Sequence, residues 1–421
     1  MNASPASHPQ PAPEEIRSIT ETGCCIVGGG PAGMILSLLL ARHSVPVTLL
    51  EMHKDFDREF RGDTIHPSSM EILDQISLAD KLLEIPHTEV SSLAIQFADG
   101  PFRPFDLKRL KTRFPYILLL PQVRFLEFLA AEAVKYPEFK LVMHANVNQL
   151  VQEDGVVKGV RYVAPDGVHE IRAPLTIGAD GRFSQVRRLA GIEPIKTSPP
   201  MDVLWFRFPR LPGEPDSETG AFGGLGKGRI LILLVRTDHW QGGLVFPKGH
   251  YQELRAQGVD AVRKSIVEID PRFAQHTETL TDWRQLTLLS VESSRCLIWQ
   301  KPGILLIGDA AHVMSPVGGV GINYAIQDAV VAANLLTNRL KSGKIAEVDL
   351  AKVQRSREWP TRVIQRWQTI MQNLVLASAF RGQQVTRVPW PLRLFSRTPI
   401  LRDLPAKLVA FGIRRVRFKN P

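Results

Sequence analysis

Apolar runs separated by glycine and proline organise the first fifty residues. Residues 24–27, CCIV, form a short apolar run that ends at GGGPAG. Residues 31–42 then place apolar side chains at helical spacing, and a second apolar run over residues 45–50 ends at Glu51. This order is typical of a buried strand, a turn, a helix and a second strand. The sequence therefore predicts a β-α-β unit at the start of the chain.

Two later apolar runs end in glycine and aspartate and are each followed by a helical pattern. The first lies in LTIGADGRFSQVRRLAGI, residues 175–192, and reaches Asp180. The second covers residues 303–307 and reaches Gly308 and Asp309, with glycines at 318, 319 and 321 before the helical pattern begins. Each stretch predicts a strand, a turn and a helix.

Between residues 195 and 297 the pattern changes to short strand-like runs, such as VLWFRFPRL, RILILLVR and HWQGGLVFP. Glycine and proline separate these runs, which indicates an antiparallel sheet, and SLAIQFADGPFRPFDL, residues 92–107, predicts an added hairpin. After residue 343 the chain is predicted to be helical. Strand alternation turns only about half of the side chains inward, and the sequence alone does not set the register. Six residues of this sheet are candidates for lining a ligand site, and for each of them a place in the sheet core is the expected alternative: Trp205, Phe206, Phe208, Phe222, Leu233 and Phe246.

The net charge of +10 is concentrated at the end of the chain. Residues 381–421 contain ten Lys and Arg residues and one acid, Asp403, so the remainder is close to neutral. A neutral body argues against a nucleic-acid-binding protein. The tail also contains apolar residues, so it predicts either a cap packed on the body or peripheral contact with an anionic membrane. We expect the cap.

The remaining composition narrows the class further. A chain of 421 residues with 44% hydrophobic and 22% charged residues is long enough for two or three packed units. The three cysteines provide no disulfide framework and no metal-binding spacing, so we expect no metal and a reducing, cytoplasmic location. Residues 1–22 lack the apolar run of a signal peptide and are predicted to be a mobile leader.

The first glycine-rich turn has the spacing GxGxxG, at Gly28, Gly30 and Gly33. The first glycine permits a tight turn, the second admits a pyrophosphate, and the third lets the helix lie against the strand. Pro31 and Ala32 open that helix, whose free N–H groups favour a phosphate. Glu51, at the tip of the next strand, can accept hydrogen bonds from a ribose, as in FAD or NAD. We therefore predict a dinucleotide site.

Three ordered motifs, GGGPAG, GADGRFSQVR and GDAAHVMSPVGGVGIN, resemble the fingerprints of the FAD-dependent aromatic hydroxylases of the para-hydroxybenzoate hydroxylase type. RGDTIHPSSMEILDQI, residues 61–76, is also similar to a segment of bacterial members. The resemblance implies an α/β fold with a Rossmann-like FAD-binding domain, a mixed or antiparallel substrate sheet and C-terminal helices. The implied units are a discontinuous FAD-binding domain (23–90, 117–194 and 298–342), a substrate domain (91–116 and 195–297) and a basic helical segment (343–421).

The resemblance also implies roles for individual residues. Asp309 and Gly308 would hold the ribityl chain of FAD, and Asp180 and Arg187 would serve both FAD and the nicotinamide coenzyme. Arg61 and Gln122 would lie near the phosphates, ribose or ribityl chain. Val147 is either an adenine contact or a strand residue in the core. The residues implied to surround the flavin ring are Pro316, Gly318, Gly319, Gly321, Ile322 and Asn323.

The implied activity is that of a monooxygenase. It would use NADH or NADPH and O2 to hydroxylate an aromatic or polycyclic small molecule through a flavin C4a-hydroperoxide. The alternatives with the same fold are a flavin-dependent reductase of isoprenoid or lipid double bonds and a flavin-dependent halogenase, although the WxWxIP signature of the halogenases is absent from the sequence. His312 is either a catalytic base or a loop histidine bonded to backbone. The protein is expected to be a monomer or a homodimer.

Overall fold

The computed structural model of the chain describes residues 15–57, 63–97, 100–197, 199–212, 214, 220–226, 228–380 and 403–419. Its first layer is a six-stranded sheet in which five neighbouring strands are parallel and one edge strand is antiparallel. Apolar residues fill most of the parallel strands, as expected for a sheet covered on both faces. In spatial order the strands are β21 (Gln300–Lys301), β22 (Ile304–Leu306), β13 (Thr176–Gly178), β2 (Cys24–Val27), β3 (Val47–Leu50) and β9 (Phe139–Val142).

Helices cover this sheet and connect its strands. Three of them pack together on it, and the first has ten buried residues out of twelve. Two shorter helices extend the same unit, and a third begins after the Asp180 turn. The helices are α1 (Pro31–Arg42), α4 (Gln122–Ala133), α9 (Gly321–Lys341), α2 (Pro67–Gln75), α3 (Ala79–Leu83) and α5 (Gln185–Leu189).

A four-stranded sheet flanks the first layer. Its strands, in spatial order, are β1 (Ile16–Glu21), β12 (Gly167–Arg172), β11 (Val156–Ala164) and β10 (Asn146–Glu153). Strand β1 pairs in parallel with β12 at the edge of this sheet. The predicted leader over residues 1–22 therefore ends too late, because residues 16–21 are held by a strand ladder. The sequence IRSITE gives only a weak indication of this strand, because Ile16 is partly buried and the other five residues are exposed.

The second main layer is a seven-stranded sheet. All its pairings are antiparallel except one, between β16 and β6. Helices α6 (Tyr251–Ala256), α7 (Val259–Ile269) and α8 (Ala274–Thr277) follow its strands in sequence. The strands are, in order, β19 (Thr287–Ser290), β15 (Met201–Pro209), β18 (His239–Pro247), β17 (Arg229–Val235), β16 (Ala221–Gly226), β6 (Ala94–Phe97) and β7 (Gly100–Phe102).

Two small sheets join these layers. One contains β14 (Pro194–Thr197), β20 (Ser293–Cys296) and β23 (His312–Val313). The other contains β4 (Thr64–Ile65), β8 (Ile117–Leu119) and β5 (Thr88–Val90). The predicted boundary between residues 194 and 195 falls inside β14, since this strand bridges the two layers.

The C-terminal segment packs on the body in the part that the structure describes. Helices α10 (Glu347–Phe380) and α11 (Leu404–Phe411) lie there, and Val409, Ala410 and Phe411 are buried. Beyond α11, the Phe418 N–H donates to Gln75 Oε1 at 2.7 Å, and the Lys419 N–H donates to Asn334 Oδ1 at 2.9 Å. Residues 403–419 therefore form a cap, and these buried apolar residues are unavailable to a membrane. The remaining tail residues, 381–402, 420 and 421, lie outside the described residues.

None of the helices in the described ranges combines the length and the apolar character needed to cross a membrane.

Candidate active site

Four of the motifs meet at one edge of the first sheet. Strands β22, β13, β2 and β3 are neighbours and parallel, so their carboxyl ends lie side by side. These ends lead directly into the Gly308–Asp309 turn, the Asp180 turn, the GxGxxG turn and Glu51. Ligands of open α/β sheets bind outside the carboxyl ends of the strands. The fold therefore assembles the dinucleotide motifs into a single candidate site.

The three glycines of the first turn have different surroundings. Gly28 has φ +106°, and a Cβ there would lie 2.5 Å from the carbonyl oxygen of Ala179. A Cβ on Gly33 would lie 2.0 Å from the carbonyl oxygen of Gly28, whereas a Cβ on Gly30 would have no atom within 4 Å. Gly28 and Gly33 thus permit close packing, and Gly30 borders open space at the amino end of α1. A pyrophosphate fits this arrangement, because Gly30 leaves room where the helix begins.

Glu51 stabilises the same turn. Its side chain is buried, and Oε2 accepts a hydrogen bond from the Gly29 N–H at 2.8 Å, while Oε1 accepts one from the His53 N–H at 3.0 Å. Oε1 also lies 3.2 Å from Nδ1 of His53, so Glu51 ties the glycine turn to the segment that follows β3. The predicted adenine contact Val147 belongs to the main hydrophobic core, with 4% of its surface exposed. Its environment is that of a core strand residue.

Asp180 and Arg187 hold the second turn together and have more partners within the protein than the sequence indicated. Asp180 accepts hydrogen bonds from the Ser184 hydroxyl and from the Val186 N–H. Burial raises the pKa of Asp180, against these hydrogen bonds. Arg187 donates to the carbonyl oxygens of Ala310 and Arg182, each at 3.0 Å. Through these contacts Arg187 ties this turn to the Gly308–Asp309 turn, and direct contact of Asp180 or Arg187 with a cofactor stays a prediction.

The Gly308–Asp309 turn is anchored by a residue that sequence reasoning missed. Gly308 has φ +60°, and its N–H donates to Asp328 Oδ2 at 3.0 Å. Asp328 is fully buried on α9, and it also contacts His312 Nε2 at 2.6 Å and Arg357 Nε at 2.7 Å. Although burial opposes the charged form, His312 and Arg357 lower the pKa of Asp328. In the sequence, this role is indicated only by the position of Asp328 within the otherwise mostly apolar stretch YAIQDAVVA, because an acid in such a stretch needs a buried partner.

This network changes the assignment of His312. The imidazole is 1% exposed, contacts Asp328 and packs 5.0 Å from the ring of Trp299. A catalytic base must reach a proton of the substrate, and a buried ring bonded to Asp328 does not meet that requirement. The geometry therefore gives His312 a structural role in this network and offers no support for the prediction of a catalytic base. The alternative of a backbone-bonded loop histidine is also replaced, since its partner is a side chain.

Residues 316–323, which we call the flavin loop, lead into α9. Gly318 and Gly319 have φ +80° and +63°, and α9 begins at Gly321. The first N–H groups of a helix have no hydrogen-bond partner within that helix. In α9 the first residues are Gly321 and Ile322, and both are partly exposed. Asn323 is buried, and its Oδ1 accepts hydrogen bonds from the His66 N–H and the Ser69 hydroxyl, while its place beside the flavin ring stays a prediction.

His66 supports the flavin loop from beneath and is a buried neutral histidine. Its Nδ1 lies 2.6 Å from the carbonyl oxygen of Val409, which can only accept, so Nδ1 carries the proton. Burial lowers the pKa of His66 to about 4. Its Nε2 has no hydrogen-bond partner and lies 3.4 Å from the position that a Cβ on Gly319 would occupy. His66 thus links the flavin loop to α11.

Acidification should destabilise the protein through His66. The unfolded chain takes up a proton on this residue near pH 6.5 and the folded chain only near pH 4, so stability is lost as the pH falls through this window. We expect a loss of up to about 3 kcal/mol at His66. Urea unfolding at pH 7 and pH 4.5 should show a smaller loss for His66→Gln than for the wild type. The exposed His250 provides a control, and an unchanged pH dependence in His66→Gln would contradict the assignment.

The seven-stranded sheet has a distinct inner face. Trp205, Ile230 and Ile232 share one apolar cluster with Val317 of the flavin loop. Phe206, Phe208, Phe222, Leu233 and Phe246 instead pack in the opposite core, which includes residues of α7. Of the six predicted lining residues, only Trp205 belongs to the face toward the loop. The sheet is buried on both faces, so apolar character alone did not distinguish them.

A separate cleft has a volume of about 170 Å³. It is lined by Gln122, at the start of α4, and by Asp63 and Arg236. Asp63 Oδ2 pairs with Arg236 Nη2 at 2.8 Å, and burial raises the pKa of Asp63 against the charge of Arg236. This ion pair connects the segment before β4 to the seven-stranded sheet. The predicted phosphate contact Arg61 lies outside the described residues.

Comparisons with known proteins agree with this geometry. The family described as FAD binding domain matches residues 21–366. The 6-methylpretetramide 4-monooxygenase of Streptomyces rimosus is 32% identical over 415 residues, which cover 98% of this chain and 97% of that protein. The anhydrotetracycline monooxygenase of Streptomyces rimosus is 28% identical over 316 residues, covering 72% of this chain and 60% of that protein.

Solved structures show the same fold at lower identity. The anhydrotetracycline hydroxylase OxyS from Streptomyces rimosus aligns with a TM-score of 0.74 and 23% identity, covering 93% of this chain and 76% of that chain. PqsL from Pseudomonas aeruginosa, described as a probable FAD-dependent monooxygenase, aligns with a TM-score of 0.73 and 20% identity, covering 87% of this chain and 98% of that chain.

Proposed function

This chain belongs to the FAD binding domain family of flavoprotein monooxygenases, and from that membership we propose that it hydroxylates a polycyclic aromatic polyketide with NADH or NADPH as the reductant. The chain is an FAD-dependent monooxygenase that acts on aromatic or polyketide compounds. The finer choice of a polycyclic substrate is supported by the 6-methylpretetramide 4-monooxygenase, which is similar over nearly its whole length.

The carrying observation is the placement of the motifs at one sheet edge. Gly30 leaves open space at the amino end of α1, and Glu51 and Asp309 follow strands at the same edge. These residues fit FAD, with the pyrophosphate at α1, the ribose near Glu51 and the ribityl chain near Asp309. When bound, FAD supplies the electron transfer and oxygen activation that amino-acid side chains lack.

The flavin loop would bind and polarise the ring. Gly318 and Gly319 have positive φ angles, which residues with a side chain rarely adopt, so glycine lets the loop take the shape that would meet the ring. The amino end of α9 would stabilise negative charge at the adjacent edge of the ring by about 0.3–2 kcal/mol. His66 and Asn323 hold the loop from the side of the core, so this field is fixed before the reaction begins.

The inner face of the second sheet would hold the substrate and exclude water. Trp205, Ile230 and Ile232 offer an apolar surface in the same cluster as Val317 of the flavin loop. A flat aromatic ring system is complementary to such a surface. Exclusion of water would also limit side reactions with solvent. In this arrangement the side chains supply position and dryness, and no described side chain is assigned as an acid or base.

The function is tested by purifying the protein and measuring its flavin content and its NADH and NADPH oxidation. A panel of polycyclic phenols should accelerate coenzyme oxidation, and one product should contain an oxygen atom from 18O2. Reduction of a double bond without oxygen insertion would instead support a flavin reductase. A protein that binds no flavin would contradict the proposal.

Asp309→Ala should weaken FAD binding by at least about tenfold, because a hydrogen bond to a charged group contributes about 1.5–3 kcal/mol. Fluorescence titration of the apoprotein with FAD gives the dissociation constant directly. Asp154→Ala, in a distant hairpin turn at φ +49°, provides a control at another aspartate. Equal FAD affinity in Asp309→Ala and in the wild type would contradict the proposed contact between Asp309 and FAD.

A further inference from the structure

Three buried glutamines form a row on α10. Gln365, Gln368 and Gln372 are separated by three and four residues, so they share one helix face. Gln368 Nε2 donates to the carbonyl oxygens of Ser315 and Val317, both at 2.8 Å. Gln365 donates to the carbonyl oxygens of the neighbouring small sheet, and Gln372 donates to the Ser315 hydroxyl. The row thus holds the chain just before and within the flavin loop.

The row borders a second cleft, of about 110 Å³. It is lined by Ser315, Ser293 and Thr197, and by Thr369 and Asn373 of α10. All the residues that line this cleft are uncharged. Ser315 is two residues from Val317, which shares its cluster with the inner face of the second sheet. The cleft therefore lies at a polar margin of the apolar substrate surface.

Gln368 has an incomplete hydrogen-bond set. Its side chain is 1% exposed, lines the cleft, and has an Oε1 atom without a hydrogen-bond partner. The two carbonyl acceptors of Nε2 fix the amide orientation, since turning it over would bring oxygen against oxygen. A buried acceptor without a donor costs free energy, so the geometry favours a ligand that supplies one.

We propose that this cleft binds a neutral hydrogen-bond donor of the substrate, namely a phenol or enol hydroxyl or a primary carboxamide, which donates to Gln368 Oε1. The rings of the same substrate would lie on the apolar face near Trp205. A carboxylate is disfavoured, because it is an acceptor and the lining residues offer no countercharge. The inference rests on the proposed function, since it names the chemical class of that substrate.

The test compares ligands that differ only in the donor. Isothermal titration of the purified holoenzyme would use 1-naphthol against 1-methoxynaphthalene, and 2-naphthamide against N,N-dimethyl-2-naphthamide. We expect the donor-bearing member of each pair to bind about three- to tenfold more tightly to the wild type, as for a neutral hydrogen bond. Gln368→Met should remove this preference, because the thioether accepts only weakly. Gln368→Asn, whose shorter side chain withdraws the oxygen, provides a second variant if Gln368→Met does not fold.

Gln354→Met is the matched control. Gln354 lies on the same helix and also bonds backbone, through the Trp299 N–H and the Leu297 carbonyl, but it does not line the cleft. This variant should keep the wild-type preference. Equal binding within each pair in the wild type, or a full preference retained in both Gln368 variants, would overturn the inference. Oxygen insertion is not measured here, so failure of hydroxylation would contradict the proposed function and leave the binding preference intact.

Discussion

Replacing Asp328 with alanine is expected to lower the free energy of unfolding by about 3–5 kcal/mol at pH 7, because removing one partner leaves a buried charge uncompensated. Arg357 is 1% exposed and its Nε donates to Asp328 at 2.7 Å. The Gly308 N–H would also lose its acceptor. With a typical total stability of about 5–15 kcal/mol, this loss is large enough to show clearly in urea unfolding.

Two control variants distinguish a buried charge from a general packing defect. Asp328→Asn combined with Arg357→Met removes both charges, so the double variant should be more stable than Asp328→Ala. Glu127→Ala breaks an exposed pair with Arg124, 3.3 Å apart, and should cost at most about 1 kcal/mol. A loss below about 1 kcal/mol in Asp328→Ala would show that the network contributes little.

Gly33→Ala and Gly30→Ala should have opposite effects on folding and binding. The added methyl at position 33 would lie 2.0 Å from the carbonyl oxygen of Gly28. This is a backbone atom, so the clash cannot be relieved by rotating a side chain. We expect a destabilisation of about 3 kcal/mol or more, since strand and helix must separate. The methyl at position 30 meets no atom within 4 Å, so the fold should tolerate it.

Gly30→Ala should instead weaken FAD binding, because the methyl occupies the space proposed for the pyrophosphate. We expect a loss of at least about tenfold in affinity, or about 1.4 kcal/mol, by titration of the apoprotein. Near-wild-type unfolding with weakened FAD binding in Gly30→Ala would separate the two glycine roles. Wild-type affinity in this variant would place the pyrophosphate elsewhere, and wild-type stability in Gly33→Ala would show that α1 can shift without loss.

The motif-bearing part of the fold was predictable because its signals are local. Glycine spacing, strand ends and the residue after each strand specify the first sheet edge, since parallel strands place these ends together. The roles of His312 and Asn323 depended on partners elsewhere in the chain, such as Asp328 and Ser69. No local pattern in the sequence encodes these contacts.

The second sheet shows a different limit. Leu231 and Ile232 are adjacent apolar residues, yet they lie in different clusters on opposite faces. A strand with one solvent-exposed face shows its orientation by alternating polar and apolar residues, but β17 is apolar at every position after Arg229. The substrate-facing set therefore required the register. The glutamine row was also hidden, because glutamine on a long helix is ordinarily a solvated residue.

The C-terminal segment imposes an order on the biosynthesis of the enzyme. Val409 accepts from His66 beneath the flavin loop, and α10 holds the chain at Ser315 and Val317. The GxGxxG turn leaves the ribosome long before these supports, by roughly 20–75 s at about 5–20 residues per second. During translation the early β-α-β unit is therefore made well before the helices that hold the flavin loop. We expect FAD binding to become tight only once α10 and α11 have folded against that loop.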